Sequence, residues 1–208
     1  AMGVKELIEI SRHYGKNPDY VLANGGNTSW KNNESMYVKA SGVSLADIDE
    51  SGFVKMSREK LTAIWQKNYS EDADRREEEA LADLMAARLP GPSMRPRAGQ
   101  SPSDSCSPMR PRAGQSPSDS CSPMRPRAGQ SPSDSCSPMR PSVEALLHAL
   151  FPQAYVVHLH PALVNGMTCG RNGKQAAEKL FGTRSVWVPV VNPGYILAKT
   201  VKDIIDEY

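Results

Sequence analysis

Residues 94–138 are a single 15-residue unit, MRPRAGQSPSDSCSP, repeated three times without a change. The unit holds no Val, Leu, Ile or aromatic residue, so the tract cannot bury enough apolar surface to offset the entropy of ordering it. Packed tandem repeats need distinct end units, whereas these three copies are identical. Whatever core the chain builds must therefore come from 1–93 and 139–208. We read 94–138 as a disordered low-complexity insertion in a connecting loop, or a product of sequence expansion. The repeats also explain the net charge of +2. Each copy carries two Arg and one Asp, so the rest of the chain is slightly acidic. A nucleic-acid partner would require a basic face on the folded body, and none is expected.

Cys106, Cys121 and Cys136 are one residue counted three times, leaving Cys169 to the remainder. No Cys-x-x-Cys pair occurs, and unpaired thiols fit a reducing compartment. The N-terminus lacks the apolar run of a signal peptide, and no stretch approaches the roughly 18 apolar residues of a membrane span. The expected location is the cytoplasm, with no membrane partner.

Helical spacing appears over 4–14, ended by Gly15, and over 57–66, with Ser57 as N-cap. A longer helix is expected over 71–89. Residues 24–29 read as a glycine-containing loop, and 36–40 as a strand running into Ser41-Gly42. In the second segment Ser142 can cap a helix over 143–150, stopped before Pro152. Residues 155–160 read as a strand that Pro161 ends, followed by helices over 161–168 and 173–181, a strand over 186–190 and a helix over 195–207. Interleaved strands and helices define the α/β class.

His158 and His160 stand two apart on the expected strand, so their imidazoles share one face and can share a metal ion. A pair of ordinary hydrogen-bonded histidines has the same spacing. Glu144 lies near a helix start, where a carboxylate can serve the helix dipole or act as an acid/base. His148 follows one turn later. Gly26-Asn27-Thr28-Ser29 and Ser41-Gly42 offer the small side chains, hydroxyls and N–H groups that cradle phosphate, although such clusters also form plain turns. Gly170 to Lys174 is too short for a phosphate loop, and Gln175 stands where Ser or Thr is needed.

Four segments in order, Gly25-Gly26-Asn27-Thr28-Ser29, Val38-Lys39-Ala40-Ser41-Gly42, Arg140-Pro141-Ser142-Val143-Glu144 and His158-Leu159-His160-Pro161, resemble the class II aldolase/adducin family. The resemblance is greatest to the aldolase domains of bifunctional rhamnulose-1-phosphate aldolase/dehydrogenase proteins. It implies a three-layer fold, with a mainly antiparallel sheet flanked by helices. It also implies metal-dependent cleavage of a ketose 1-phosphate, rhamnulose 1-phosphate being one candidate. By the resemblance, His158 and His160 would bind Zn²⁺ or another divalent metal, and Glu144 would be the acid/base. Gly26, Asn27, Ser41, Gly42 and Ser142 would form the phosphate site. A homo-oligomer and a C-terminal dehydrogenase domain in a longer protein are further implications. The family also contains sugar-phosphate epimerases and non-catalytic adducin-like modules. The chain departs from the pattern at Val143, where a second Ser is usual, and no histidine follows His160 to complete the metal set. It is therefore expected to be C-terminally truncated and weakly active or inactive.

If 94–138 takes no part in the core, its deletion leaves the thermal midpoint unchanged or raises it, because a shorter loop closes at lower entropic cost. Calorimetry of the deletion variant checks this. A fall of more than about 5 °C would show that the tract contributes to the fold.

Overall fold

The computed structural model describes residues 2–90 and 139–207, so the repeats and their expected disorder lie outside the described residues. The described residues belong to one compact unit, Ala1–Ser93 with Met139–Tyr208. Its centre is a four-stranded sheet formed by β1 (Asn27–Lys31), β2 (Ser35–Lys39), β3 (Phe53–Ser57) and β4 (Tyr155–His158). The spatial order is β3-β2-β1-β4, and every neighbouring pair is antiparallel. Helices α1 (Met2–Gly15), α2 (Arg58–Ile64), α3 (Ala73–Ala86), α4 (Ala145–Leu150), α5 (Ala162–Thr168), α6 (Gly173–Phe181) and α7 (Tyr195–Asp206) complete it. The expected mixed fold, an antiparallel sheet between helices, is what the structure shows. Among the described residues no helix is long and apolar enough to cross a membrane.

Alternation along the strands explains why both faces are covered. Met36 and Val38 of β2 and Val54 and Met56 of β3 face one core, closed by Leu61 and Ile64 of α2, Leu84 of α3, Leu146 of α4 and Ala198 of α7. Tyr37 and Phe53 point the other way, into a second core with Leu7 of α1, Val21, Leu45 and Ile48. Each fully buried aliphatic side chain here contributes about 1.5–3 kcal/mol relative to exposure.

Local signals set several boundaries. Ser57 caps α2, accepting the Lys60 N–H at 3.3 Å, and Asp72 caps α3 through the Arg75 N–H at 2.9 Å. The N-terminus of α7 has no side chain of its own to cap it. Glu77 of α3 reaches across instead, accepting the N–H groups of Tyr195 at 2.8 Å and Ile196 at 3.1 Å.

Four expectations need correction. Residues 27–31 continue the glycine loop as a strand, the sheet's inner β1, although Thr28, Ser29 and Lys31 are polar and buried. Strand β3 was not expected from the sequence. The expected strand over 186–190 forms no ladder: Pro189 lacks a donor, and Val190 is fully exposed. A groove of about 410 Å³, lined in part by Val156, Val157, Val186 and Val188, lies between that segment and the free edge of β4. Finally, α4 starts at Ala145, so Ser142 is not its N-cap; the Ser142 hydroxyl instead accepts the N–H of Glu144 at 3.3 Å in the preceding turn.

Candidate functional site

Antiparallel pairing places Asn27, the first residue of β1, directly opposite His158, the last of β4. Paired residues share a sheet face. Asn27 is buried, and its Nδ2 donates to Glu144 Oε2 at 2.5 Å. The same oxygen lies 3.2 Å from His158 Nδ1. That contact is within ion-pair distance but not aligned as a hydrogen bond, which leaves the buried Nδ1 without a hydrogen-bonding partner. His160 lies beyond the strand, which ends two residues sooner than expected because the His160 N–H leaves the ladder to bond Tyr20 O at 3.1 Å. Its ring nevertheless stays beside that of His158, with centroids 4.8 Å apart.

Glu144 does not cap α4. It occupies the position before the helix and makes no side-chain capping bond. Burial pushes its carboxyl up, but the surrounding His158, His160 and His148 outweigh this and hold it below the usual carboxylate value. His160 is pushed down, chiefly by burial and then by His158.

The loop residues gather around this cluster. Gly26 has φ +73, a left-handed conformation, and a Cβ there would approach His158 O at 3.0 Å. Gly42, with φ +80, and Ser41 are exposed. They are joined to the segment before Glu144 by the Ser41 N–H donating to Arg140 O at 2.9 Å, and by an Ala40–Pro141 bridge. The Ser142 N–H donates to Lys39 O at 3.1 Å. Asn27, Glu144, His158 and His160 thus form the centre, with Ser142 and Gly26 against it and Ser41-Gly42 attached through the backbone.

Two residues around the site gained no role from the sequence. His148 is fully buried; Nδ1 lies 2.8 Å from Ser29 Oγ, its carbonyl accepts from Lys31 Nζ at 2.8 Å, and Nε2 has no partner. Burial, reinforced by His158 and Lys31, pushes it down to about 3, so it stays neutral near pH 7. Lys39 is also buried, its Nζ donating to Asn24 O and Val43 O. A lysine at the end of a strand, directly before Ala-Ser-Gly, was the available signal for the latter.

For a divalent metal, two adjacent imidazoles and a buried, unpartnered ring nitrogen are suitable donors. A catalytic zinc site uses three protein ligands. Among the described residues no group of three or more His, Cys, Asp or Glu side chains has the geometry to hold a metal ion. The described residues therefore offer part of a ligand set.

At this end of the sheet an amide, a carboxylate and two imidazoles lie together beside glycine-containing loops. Residues 5–86 match the family model described as Class II Aldolase and Adducin N-terminal domain. Over those residues the chain is similar to the class II aldolase and adducin family. Glu144, His158 and His160 lie beyond the matched residues. The fold is that of the N-terminal class II aldolase domain of a conserved protein from Thermoplasma acidophilum. That match has TM-score 0.63 and 22% identity, over 99% of this chain and 75% of that one. The chain is also 28% identical, over 97% of its length, to the Bacillus subtilis (strain 168) protein named "Uncharacterized oxidoreductase YuxG". It spans 23% of that relative's length.

Gly26→Ala combines left-handed backbone strain with the approach to His158 O, and is expected to cost about 1–2 kcal/mol. Urea denaturation measures it; a cost below about 0.3 kcal/mol would contradict the close packing of this loop on β4.

Proposed function

We propose that this chain is a metal-dependent aldolase domain that cleaves a ketose 1-phosphate, rhamnulose 1-phosphate being one candidate, into dihydroxyacetone phosphate and an aldehyde. The observation that carries the reading is the placement of Glu144. A carboxylate that served only the helix would bond the first turn of α4, whereas this one is turned toward Asn27 and His158. In the proposed reaction Glu144 takes the proton of the C4 hydroxyl. The C3–C4 bond breaks, its electron pair moves toward the C2 carbonyl oxygen, and the same carboxyl returns the proton to C3. His158 and His160 would hold the divalent ion together with a further ligand, and the ion would supply Lewis-acid stabilisation of the developing negative charge. Asn27 orients Glu144 through its amide. Gly26, Asn27, Ser41, Gly42 and Ser142 take the phosphate, an anchor remote from the bond that breaks.

An epimerase would need the same groups. The non-catalytic, adducin-like alternative has no use for a half-buried carboxylate set against two imidazoles. The word oxidoreductase in the relative's name fits an aldolase domain joined to a dehydrogenase domain in a longer protein, consistent with the small share of that relative matched here. A homo-oligomer in the cytoplasm completes the proposal.

Glu144→Gln in the full-length protein, assayed by release of dihydroxyacetone phosphate, is expected to cut turnover by about a hundredfold or more while stability is nearly unchanged. A purely helix-stabilising role predicts the reverse, a loss of about 0.3–1 kcal/mol with turnover intact. Unchanged turnover removes Glu144 from the mechanism.

A further inference from the structure

Side chains alternate along a strand, so Asn27, Ser29 and Lys31 of β1 share one face, and all three are buried. Each reaches the same short stretch of chain. Asn27 Nδ2 donates to the Glu144 carboxylate at 2.5 Å, Ser29 Oγ lies 2.8 Å from His148 Nδ1, and Lys31 Nζ donates to His148 O at 2.8 Å. His148 therefore takes two of the three contacts, one through its ring and one through its carbonyl. Its own N–H donates to Glu144 O at 3.2 Å, so the two residues are joined by the first main-chain bond of α4.

Space filling does not explain an imidazole at this position. His148 is 0% exposed, and its helix neighbours Ala145 and Leu146 are apolar and belong to the core. A phenylalanine would occupy the volume without burying polar atoms, one of which, Nε2, finds no partner. Nor does His148 complete a metal site, since among the described residues no three His, Cys, Asp or Glu side chains could hold an ion. What the ring supplies is a rigid polar atom, Nδ1, within reach of Ser29. Lys31 adds a charge-assisted bond to the carbonyl of the same residue. Such an anchor is needed, because α4 has six residues and no side-chain cap at its start, where Glu144 sits. A helix that short holds its place only through contacts outside itself, and apolar burial is non-directional.

We propose that His148 is a positioning residue for Glu144: with Ser29 and Lys31 it fastens α4 to β1 in one register, so that the Glu144 carboxylate meets Asn27 and faces His158. Its effect on turnover rests on the acid/base reading of Glu144 given above; the placement itself does not. A misplacement of about 1 Å can cost a reaction on the order of a hundredfold, so a bond one helical turn away can govern kcat.

The test compares His148→Phe, which keeps a ring and removes both nitrogens, with His148→Asn, whose amide can stand in for Nδ1 beside Ser29. The first readout is the NMR signal of the Asn27 side-chain amide in the full chain, which reports its bond to Glu144 whether or not the chain is an aldolase. The second is turnover of the full-length protein. His148→Phe is expected to move the amide signal to that of a free amide, and to lower kcat by about tenfold or more with KM little changed. His148→Asn keeps the native signal and stays within about threefold of the native kcat. A residue that only stabilised the fold would lower the thermal midpoint in both variants and leave the amide signal and the kcat of the folded protein where they were; that result overturns the proposal. So does a His148→Asn that loses the signal as fully as His148→Phe. If the signals behave as expected but the native protein cleaves no phosphorylated ketose, the positioning stands and the aldolase reading falls. Should His148→Phe fail to fold, Ser29→Ala removes the same bond from the β1 side, and a native Asn27 signal in that variant refutes the proposal.

Discussion

Asn27 stands across from His158 because β1 and β4 pair in one antiparallel register, and the site depends on that register. A slip of one residue would turn His158 to the opposite face and bury Val157 in its place. The same register sets Ser29 opposite Val156, on the face that receives α4, so that Ser29 Oγ meets His148 Nδ1. Glu144, four residues earlier, is then brought to Asn27. β1 also pairs with β2 on its other side, so the register passes on to Lys39 and Ser41. The Gly26–His158 approach secures the entry to the strand.

This register is held by polar as well as apolar contacts. Thr28, Ser29 and Lys31 are buried in β1, and each finds a partner: Ser11 Oγ, the His148 ring and the His148 carbonyl. A buried polar group without a partner costs about 1–3 kcal/mol, so shifted registers that separate these pairs are disfavoured. Specificity of pairing is thereby written into the strand's polar residues, while Met36, Val38, Val54 and Met56 supply most of the apolar drive in the neighbouring strands.

That division explains what could be read from the sequence. Helices α1, α2, α3, α6 and α7 and strands β2 and β4 carry local periodicity or caps, such as Ser57, and were legible. β1 was not, because Asn27-Thr28-Ser29 lacks the apolar alternation of a strand, and its burial is justified only by partners far along the chain. The segment 186–190 misled for the opposite reason, since Val186, Val188 and Val190 alternate properly but form no ladder with the free edge of β4. At the candidate site, His158 and His160 stood out by residue type and spacing, whereas Glu144 was singled out through the family resemblance. The turn of Glu144 away from α4, and the bonds of Lys39 to Asn24 O and Val43 O, depend on tertiary contacts that no local pattern carries.

The most direct test of this account is a crystal structure of the chain grown with Zn²⁺ and inorganic phosphate, with the metal located by anomalous scattering. The account predicts a peak bonded to the His158 and His160 rings at about 2.0–2.1 Å, with the Glu144 carboxylate beside it and Asn27 still its partner. A metal bound elsewhere, or rings of His158 and His160 turned to opposite sides of the chain, would contradict it.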